Sequence, residues 1–341
     1  MVPRAGDQAR GALSARHRVA PRAILKRLAT WVGLAGLTLA GSGTAHAEWL
    51  NLCDRQAKVS ASQQDKLFRF GAIIKAELAQ SGHKAALMAR SGLDLQRFGI
   101  RYSHAGVSLQ ASDNTPWSVR QLYYACDERQ PRVYDQGISG FLLGTDNPNV
   151  GYISVVFLPE DKADELARAA LDKRQALSVL GATYSANAYP FSTRYQNCNQ
   201  WLIELLAMAW GPAQTRSDAG EPDAPLATLG APVDVRSQAQ SWLKAQAYEP
   251  TDIDVGHRWL MWAGAFIPFV HTDDHPQADV DALHLRVSMP AAIEAFVHQR
   301  VPQATRVEFC HTEDHVVIHR GWSDLSDGCV PSGEDEVIRL D

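Results

Sequence analysis

Between Lys84 and Pro159 the chain passes through four short apolar stretches, KAALMARSG, RYSHAGVSLQ, WSVRQLYYAC and GYISVVFLP. Each has the length and composition of a strand rather than a helix. ASDNTP separates the second from the third, with Asp113-Asn114 and Pro116 as turn residues. A series of short strands joined by turns restricts this part of the chain to a mainly antiparallel sheet, and the segments around it have helical periodicity. SASQQDKLFRFGAIIKAELAQSG carries an apolar stripe of Leu67, Phe68, Ile73, Ile74 and Leu78, a cap at Ser60 or Ser62 and a stop at Ser81-Gly82. DKADELARAALDKRQALSVLG reads as a second amphipathic helix ending at Gly181. YQNCNQWLIELLAMAW reads as a third, stopped by Gly211-Pro212.

Residues 216–234 are rich in Ala, Pro, Gly and Asp and read as a loop or linker. Beyond them come a helix in SQAQSWLKAQAY, the aromatic run HRWLMWAGAFIPFV, a helix from Pro290 to Gln299, and two strands, TRVEFCH and HVVIHRGW. Core packing is the expected use of the rings in the aromatic run. The pattern predicts an α+β fold in which a mainly antiparallel sheet packs against helices. Residues 48–215 are expected to form one domain, and the 235–341 region an α/β extension that packs on it or extends it.

The first 47 residues differ from the rest. Seven Lys or Arg against Asp7 precede the apolar run LATWVGLAGLTLAG, and small residues follow at Ala45-His46-Ala47. This is the pattern of a signal peptide over 1–47, cut before Glu48, and it predicts a periplasmic or secreted protein. The apolar run is short and Gly-rich for a membrane span, so no stable span is expected after cleavage. The whole chain carries −5; without the leader the remainder carries −11. Such an acidic protein is poorly suited to nucleic acid or to anionic membrane surfaces.

Five cysteines remain: Cys53, Cys126, Cys198, Cys310 and Cys329. An oxidising compartment favours disulfides, and an odd number leaves at least one thiol over. Cys310 with Cys329 would close a short loop, Cys53 with Cys126 is a plausible second pair, and Cys198 would then be free. Asn197 is a favoured N-cap, which puts Cys198 in the first turn of its helix. Leu202, Leu205 and Ala209 share its face, while Asn199, Gln200 and Glu204 are expected to point away. There the helix dipole and free N–H groups favour a thiolate and offer an oxyanion site. In RYSHAGVSL, alternation puts Tyr102, His104, Gly106 and Ser108 on one face, with Gly106 expected to leave room over the imidazole. Gln121 on the neighbouring strand is placed to accept from a ring N–H and fix the tautomer.

The order of these residues resembles the circularly permuted papain-like superfamily, which includes NlpC-related bacterial hydrolases and lecithin:retinol acyltransferase-like enzymes. Asn197-Cys198-Asn199-Gln200-Trp201 lies where those proteins carry their nucleophile motif. His104-Ala105-Gly106-Val107 lies at their histidine strand, and Val119-Arg120-Gln121-Leu122 at the strand of their third polar residue, with Gln in place of His. RYSHAGV, QLYYACD, FLLGTDN and the stretch ATYSANAYPFSTRYQNCNQW more closely resemble an uncharacterised bacterial family, the domain of unknown function 2145. The resemblance implies a permuted papain-like catalytic domain in 48–215. It also implies an exported thiol hydrolase with catalytic Cys198, His104 and Gln121, no cofactor, and as substrate an amide or ester of a small peptide or lipid, with cell-wall peptides among the candidates. Two alternatives compete. One is a metal-binding protein using the His/Asp-rich segments 271–275 (HTDDH) and 311–319, although both segments are spaced like polar turns and predict no metal site. The other is a non-catalytic binding module using the Trp259–Trp262 run. Tyr195 and Tyr102 are expected to pack rather than to line the site.

Overall fold

In the computed structural model, residues 59–145, 147–211 and 234–340 are described; the leader at 1–47, Cys53 and the linker up to Pro232 and Val233 lie outside them. In chain order the elements are α1 (Ala61–Gln80), β1 (Ala85–Arg90), β2 (His104–Leu109), β3 (Ser118–Ala125), β4 (Gln130–Gln136) and α2 (Ile138–Leu142). There follow β5 (Gly151–Phe157), α3 (Glu160–Leu171), α4 (Lys173–Ser178), α5 (Cys198–Trp210) and α6 (Val235–Ala245). The remainder comprises β6 (Thr251–Asp254), α7 (Arg258–Gly264), α8 (Gln277–Asp281), β7 (His284–Val287), α9 (Pro290–Arg300), β8 (Thr305–His311), β9 (His315–Arg320) and β10 (Glu336–Arg339).

The helix starts follow local chemistry. Ser60 and Gln63 form a reciprocal capping box at α1, which satisfies two N–H groups that have no partner inside the helix. The buried stripe of α1 runs through Leu67, Phe70, Gly71, Ile74 and Leu78; Phe70 takes the place expected of Phe68, which is exposed. The single helix expected over 161–181 is two. Asp172 leaves helical geometry and its carboxylate accepts from the N–H groups of Arg174 and Gln175, capping α4.

Eight strands form one antiparallel sheet in the order β10-β9-β8-β5-β1-β2-β3-β4, and β6 pairs with β7 in a separate ribbon. Pairing of β5 with β8 brings the C-terminal strands into the same sheet as the N-terminal ones. Helices cover both faces. On the first, Leu87, Ala105, Val107, Leu122 and Val156 meet residues of α3, α5, α6 and α9. On the second, Met88, Val119, Ile153, Val155 and Phe309 meet Phe70 and Ile74 of α1 and Phe141 of α2. Burial on both sides explains why β1, β2 and β5 are apolar or small at nearly every position rather than alternating with polar residues.

The sequence pattern misjudged two surfaces. α5 is buried all round: Asn199, Gln200 and Glu204 face other helices and loops rather than solvent. Conversely, α7 buries none of its residues, and Trp259, Trp262 and the adjacent Phe266 are 63%, 68% and 65% exposed. The core packing expected of these rings does not occur.

Candidate active site

The N-terminus of α5 is fixed by Asn197, whose side chain accepts from the Gln200 N–H at 2.6 Å. Cys198 is therefore the first residue of the helix. It is 8% exposed and its thiol is free. Tyr184 and the backbone N–H groups of Cys198 and Asn199 are near enough to favour its thiolate. Tyr184 is held by stacking on Tyr124, ring centroids 4.8 Å apart, and by a bridge to Gln196. Cys310 and Cys329 are disulfide-bonded, with Cα atoms 5.7 Å apart. Cys126 is also in a disulfide, and Cys53, its expected partner, lies outside the described residues.

Next to the thiol, the Asn199 Nδ2 donates to the Ser103 carbonyl at 3.1 Å, tying α5 to the residue before His104. The His104 ring hydrogen-bonds the Gln121 side-chain oxygen, as expected. Gln121 spends its NH₂ on Gln136 Oε1 at 2.6 Å. Its oxygen must then accept from the His104 Nε2–H, which leaves Nδ1 as the basic nitrogen. Nδ1 has no hydrogen-bond partner among the described residues. The Phe141 ring lies over the imidazole at 5.9 Å.

His104 and Gln121 are thus brought together, but His104 and Cys198 are not hydrogen-bonded to each other. The reason lies in the pleat. The neighbours of His104 (Gln121, Phe141) belong to the second face of the sheet, whereas Cys198 packs with Ala105 and Val107 on the first. Nor does Gly106 leave room over the ring. A Cβ there would lie 2.6 Å from the Arg120 carbonyl and 2.8 Å from Val119, so its missing side chain admits β3.

Arg90, paired with His104 across β1 and β2, is the charge that both groups feel. Burial is the largest influence on each. It pushes the Cys198 thiol up to about 11, against the pull of Arg90 and the N–H donors. Burial and the Arg90 charge push His104 down to about 3, with the Gln121 bond opposing. The dipole-lowered thiol expected from sequence is reversed, because desolvation at an enclosed sulfur outweighs the helix terminus. Tyr184 and Arg90 were not identified from sequence. Tyr184 stands in a loop of irregular backbone, and Arg90 closes a strand whose side-chain direction only the register reveals.

The other nominated groups are structural. Tyr195 stacks on His271 at 4.4 Å, and the Tyr102 hydroxyl donates to Glu308. The HTDDH segment is a turn in which Asp274 accepts from the Tyr189 N–H at 2.8 Å; HTEDH is the β8–β9 turn. His319 bonds Asp335 at 2.6 Å. Among the described residues no three His, Cys, Asp or Glu side chains gather as a metal site, and no helix is long and apolar enough to cross a membrane.

No curated protein and no solved structure matched the chain. Residues 77–297 match the family of uncharacterised proteins conserved in bacteria, DUF2145, a span that holds Arg90, His104, Gln121, Tyr184 and Cys198, and the chain belongs to that family.

Proposed function

We propose that the protein is an exported thiol hydrolase built on a permuted papain-like arrangement, with Cys198 as nucleophile, His104 as base and Gln121 orienting the imidazole. The observation that carries this reading is the free, buried sulfur at the head of α5, where Tyr184 and two backbone N–H groups favour its thiolate. Disulfides at Cys126 and Cys310–Cys329 suit the oxidising compartment that the leader pattern implies.

In the reaction, the thiol proton reaches His104 Nδ1 by way of water or substrate around the end of β2, where His104 stands, because the two groups lie on opposite faces of the sheet, and the sulfur attacks the acyl carbon of an amide or ester. The oxyanion is held by the first-turn N–H groups of α5. The imidazolium then returns its proton to the leaving amine or alcohol, and water, deprotonated by the same ring, releases the acid. With the thiol near 11 and the imidazole near 3, direct proton transfer in the closed form would cost on the order of 10 kcal/mol. Direct transfer is therefore disfavoured, and the reading requires a relay by substrate or water.

The test is acylation by p-nitrophenyl acetate, with the site of modification read by mass spectrometry. Acetyl transfer to Cys198 is expected, slowed about 100-fold in His104→Ala. Acetylation elsewhere, or an unchanged rate in the variant, would sink the pairing. The exposed rings of Trp259, Trp262 and Phe266 favour a second reading, a non-catalytic binding module. It predicts no acyl-enzyme, and a Cys198 that iodoacetamide labels only after denaturation.

A further inference from the structure

α7 presents an apolar face that the described residues leave uncovered. Trp259, Trp262 and, just past its end, Phe266 stand at i, i+3 and i+7, which puts them on one side of the helix, and all three rings are exposed. Trp262 and Phe266 meet edge to face, centroids 4.7 Å apart, and His257 stacks on Trp259. Met261, on the other side, packs against the small cluster of Ile100, Leu285 and Val287. The helix is thus held from behind, with its rings outward.

The charge beside these rings differs from that of the whole chain. The chain carries −5, yet residues 255–272 contain no Asp or Glu. Arg258 precedes Trp259 and is exposed, and its guanidinium has no ion-pair or hydrogen-bond partner among the described residues. The nearest carboxylates along the chain are occupied. Asp254 accepts from the Gly256 N–H at 2.8 Å, and Asp273 pairs with Arg194 at 2.6 Å. Aromatic rings therefore stand next to an uncommitted positive charge.

That combination selects the occupant. A second copy docked through the same face would set Arg258 against Arg258, with no acid in 255–272 to separate them. A protein partner needs a surrounding rim to keep water from its central rings, and α7 buries none of its own residues that could build one. A bilayer needs no rim. Its interfacial layer takes Trp and Phe at headgroup depth and offers phosphates to an adjacent arginine. Seven residues make α7 far too short to cross, so it would lie on the surface.

We propose that the Trp259–Phe266 face docks the protein on a bilayer with anionic headgroups, the three rings entering the interfacial layer and Arg258 meeting a lipid phosphate. The docking goes beyond the thiol-hydrolase reading and does not depend on it. The docked segment continues into the loop beside the thiol: the Ala186 N–H donates to the Phe269 carbonyl at 2.8 Å, and the Phe269 ring lies 6.0 Å from Tyr124, on which Tyr184 stacks.

The test is co-sedimentation of the full chain with vesicles of phosphatidylcholine, alone or mixed equally with phosphatidylglycerol. The mixed vesicles are expected to bind at least about fivefold more tightly. Joint substitution of Trp259→Ser, Trp262→Ser and Phe266→Ser is expected to weaken binding about 100-fold, and Arg258→Ala to weaken it about fivefold on the mixed vesicles only. All four positions are exposed, so an unchanged urea midpoint verifies the fold. The apolar run LATWVGLAGLTLAG also favours lipid, and the chain has nine tryptophans, so a local readout is added. Brominated lipid is expected to quench the emission that distinguishes the native chain from the Trp259→Phe, Trp262→Phe double variant. Escape of that emission from quenching, or full binding by the triple serine variant, overturns the docking face. An unchanged affinity in Arg258→Ala overturns the phosphate contact. Self-association without lipid that the serine substitutions abolish, together with no vesicle binding, assigns the face to a second copy and overturns the bilayer.

Discussion

Glu204 on α5 and Glu294 on α9 each bury a carboxylate against an arginine on the same side of the sheet, but their surroundings differ. Glu204 accepts from Arg236 at 2.8 Å and from Gln196, Gln200 and Gln240 at 2.6, 3.1 and 2.7 Å. Arg236 gives its remaining donors to the Thr193 and Tyr195 carbonyls. Both Glu204 oxygens have at least two donors each, although Gln200 Oε1 has no partner, and the network joins α5, α6 and the loop that carries Tyr195. Glu294 has Arg306 and the Ser154 hydroxyl, with Glu308 and Asp324 nearby as like charges. Burial, reinforced by those charges, raises it from 4.5 to about 7. A saturated carboxylate cements helices, whereas an under-satisfied one that lines a cleft holds on to its proton.

The first way to break this contrast is Glu204→Ala, which strands the Arg236 charge inside the helical layer. A loss of about 3–5 kcal/mol in urea unfolding is expected, and a change below about 1 kcal/mol would show that the amides alone suffice. Next in size is the disulfide. Cys310–Cys329 holds the loop with Asp327 against β8, and a separation of 19 residues predicts about 3 kcal/mol on replacing both cysteines by serine.

Glu294→Gln sharpens the comparison through pH. The folded protein holds the Glu294 proton more tightly than the unfolded chain, so between about 4.5 and 7 the native state binds more protons and stability falls as pH rises. From pH 5 to 6.5 the wild type should lose about 2 kcal/mol more than the variant, read as urea midpoints; equal slopes would contradict the raised carboxyl. The smallest effect is expected at Arg320, whose pairing with Glu77 and Glu336 is largely solvent-exposed. Arg320→Ala should cost about 1 kcal/mol or less and disappear in high salt.

Much of the frame was legible before any coordinates. β1, β2, β3, β5, β8 and β9 coincide with the apolar runs, and Asn197 caps α5 as its residue type predicts. β4 escaped because QPRVYDQ is polar and contains Pro131, which an edge strand tolerates and a central one does not. α2 escaped because five residues carry too little periodicity to register. The free thiol and the His104–Gln121 bond were also readable: an odd cysteine count required the first, and alternation on neighbouring strands put the second pair on one face.

The sequence by itself determined the class of fold, the nucleophile candidate at a helix head and the tautomer-setting amide beside the histidine, because these follow from local periodicity, capping and strand alternation. Only the tertiary structure decided the environment of each group. It set His104 and Cys198 on opposite faces of one sheet and enclosed the sulfur so that desolvation overrules the helix dipole. It also turned the α7 tryptophans outward and gathered Glu294, Arg306 and Glu308 from distant segments around a cleft. Each of these depends on which surfaces meet, and chain-distant packing is not encoded in any local stretch of residues.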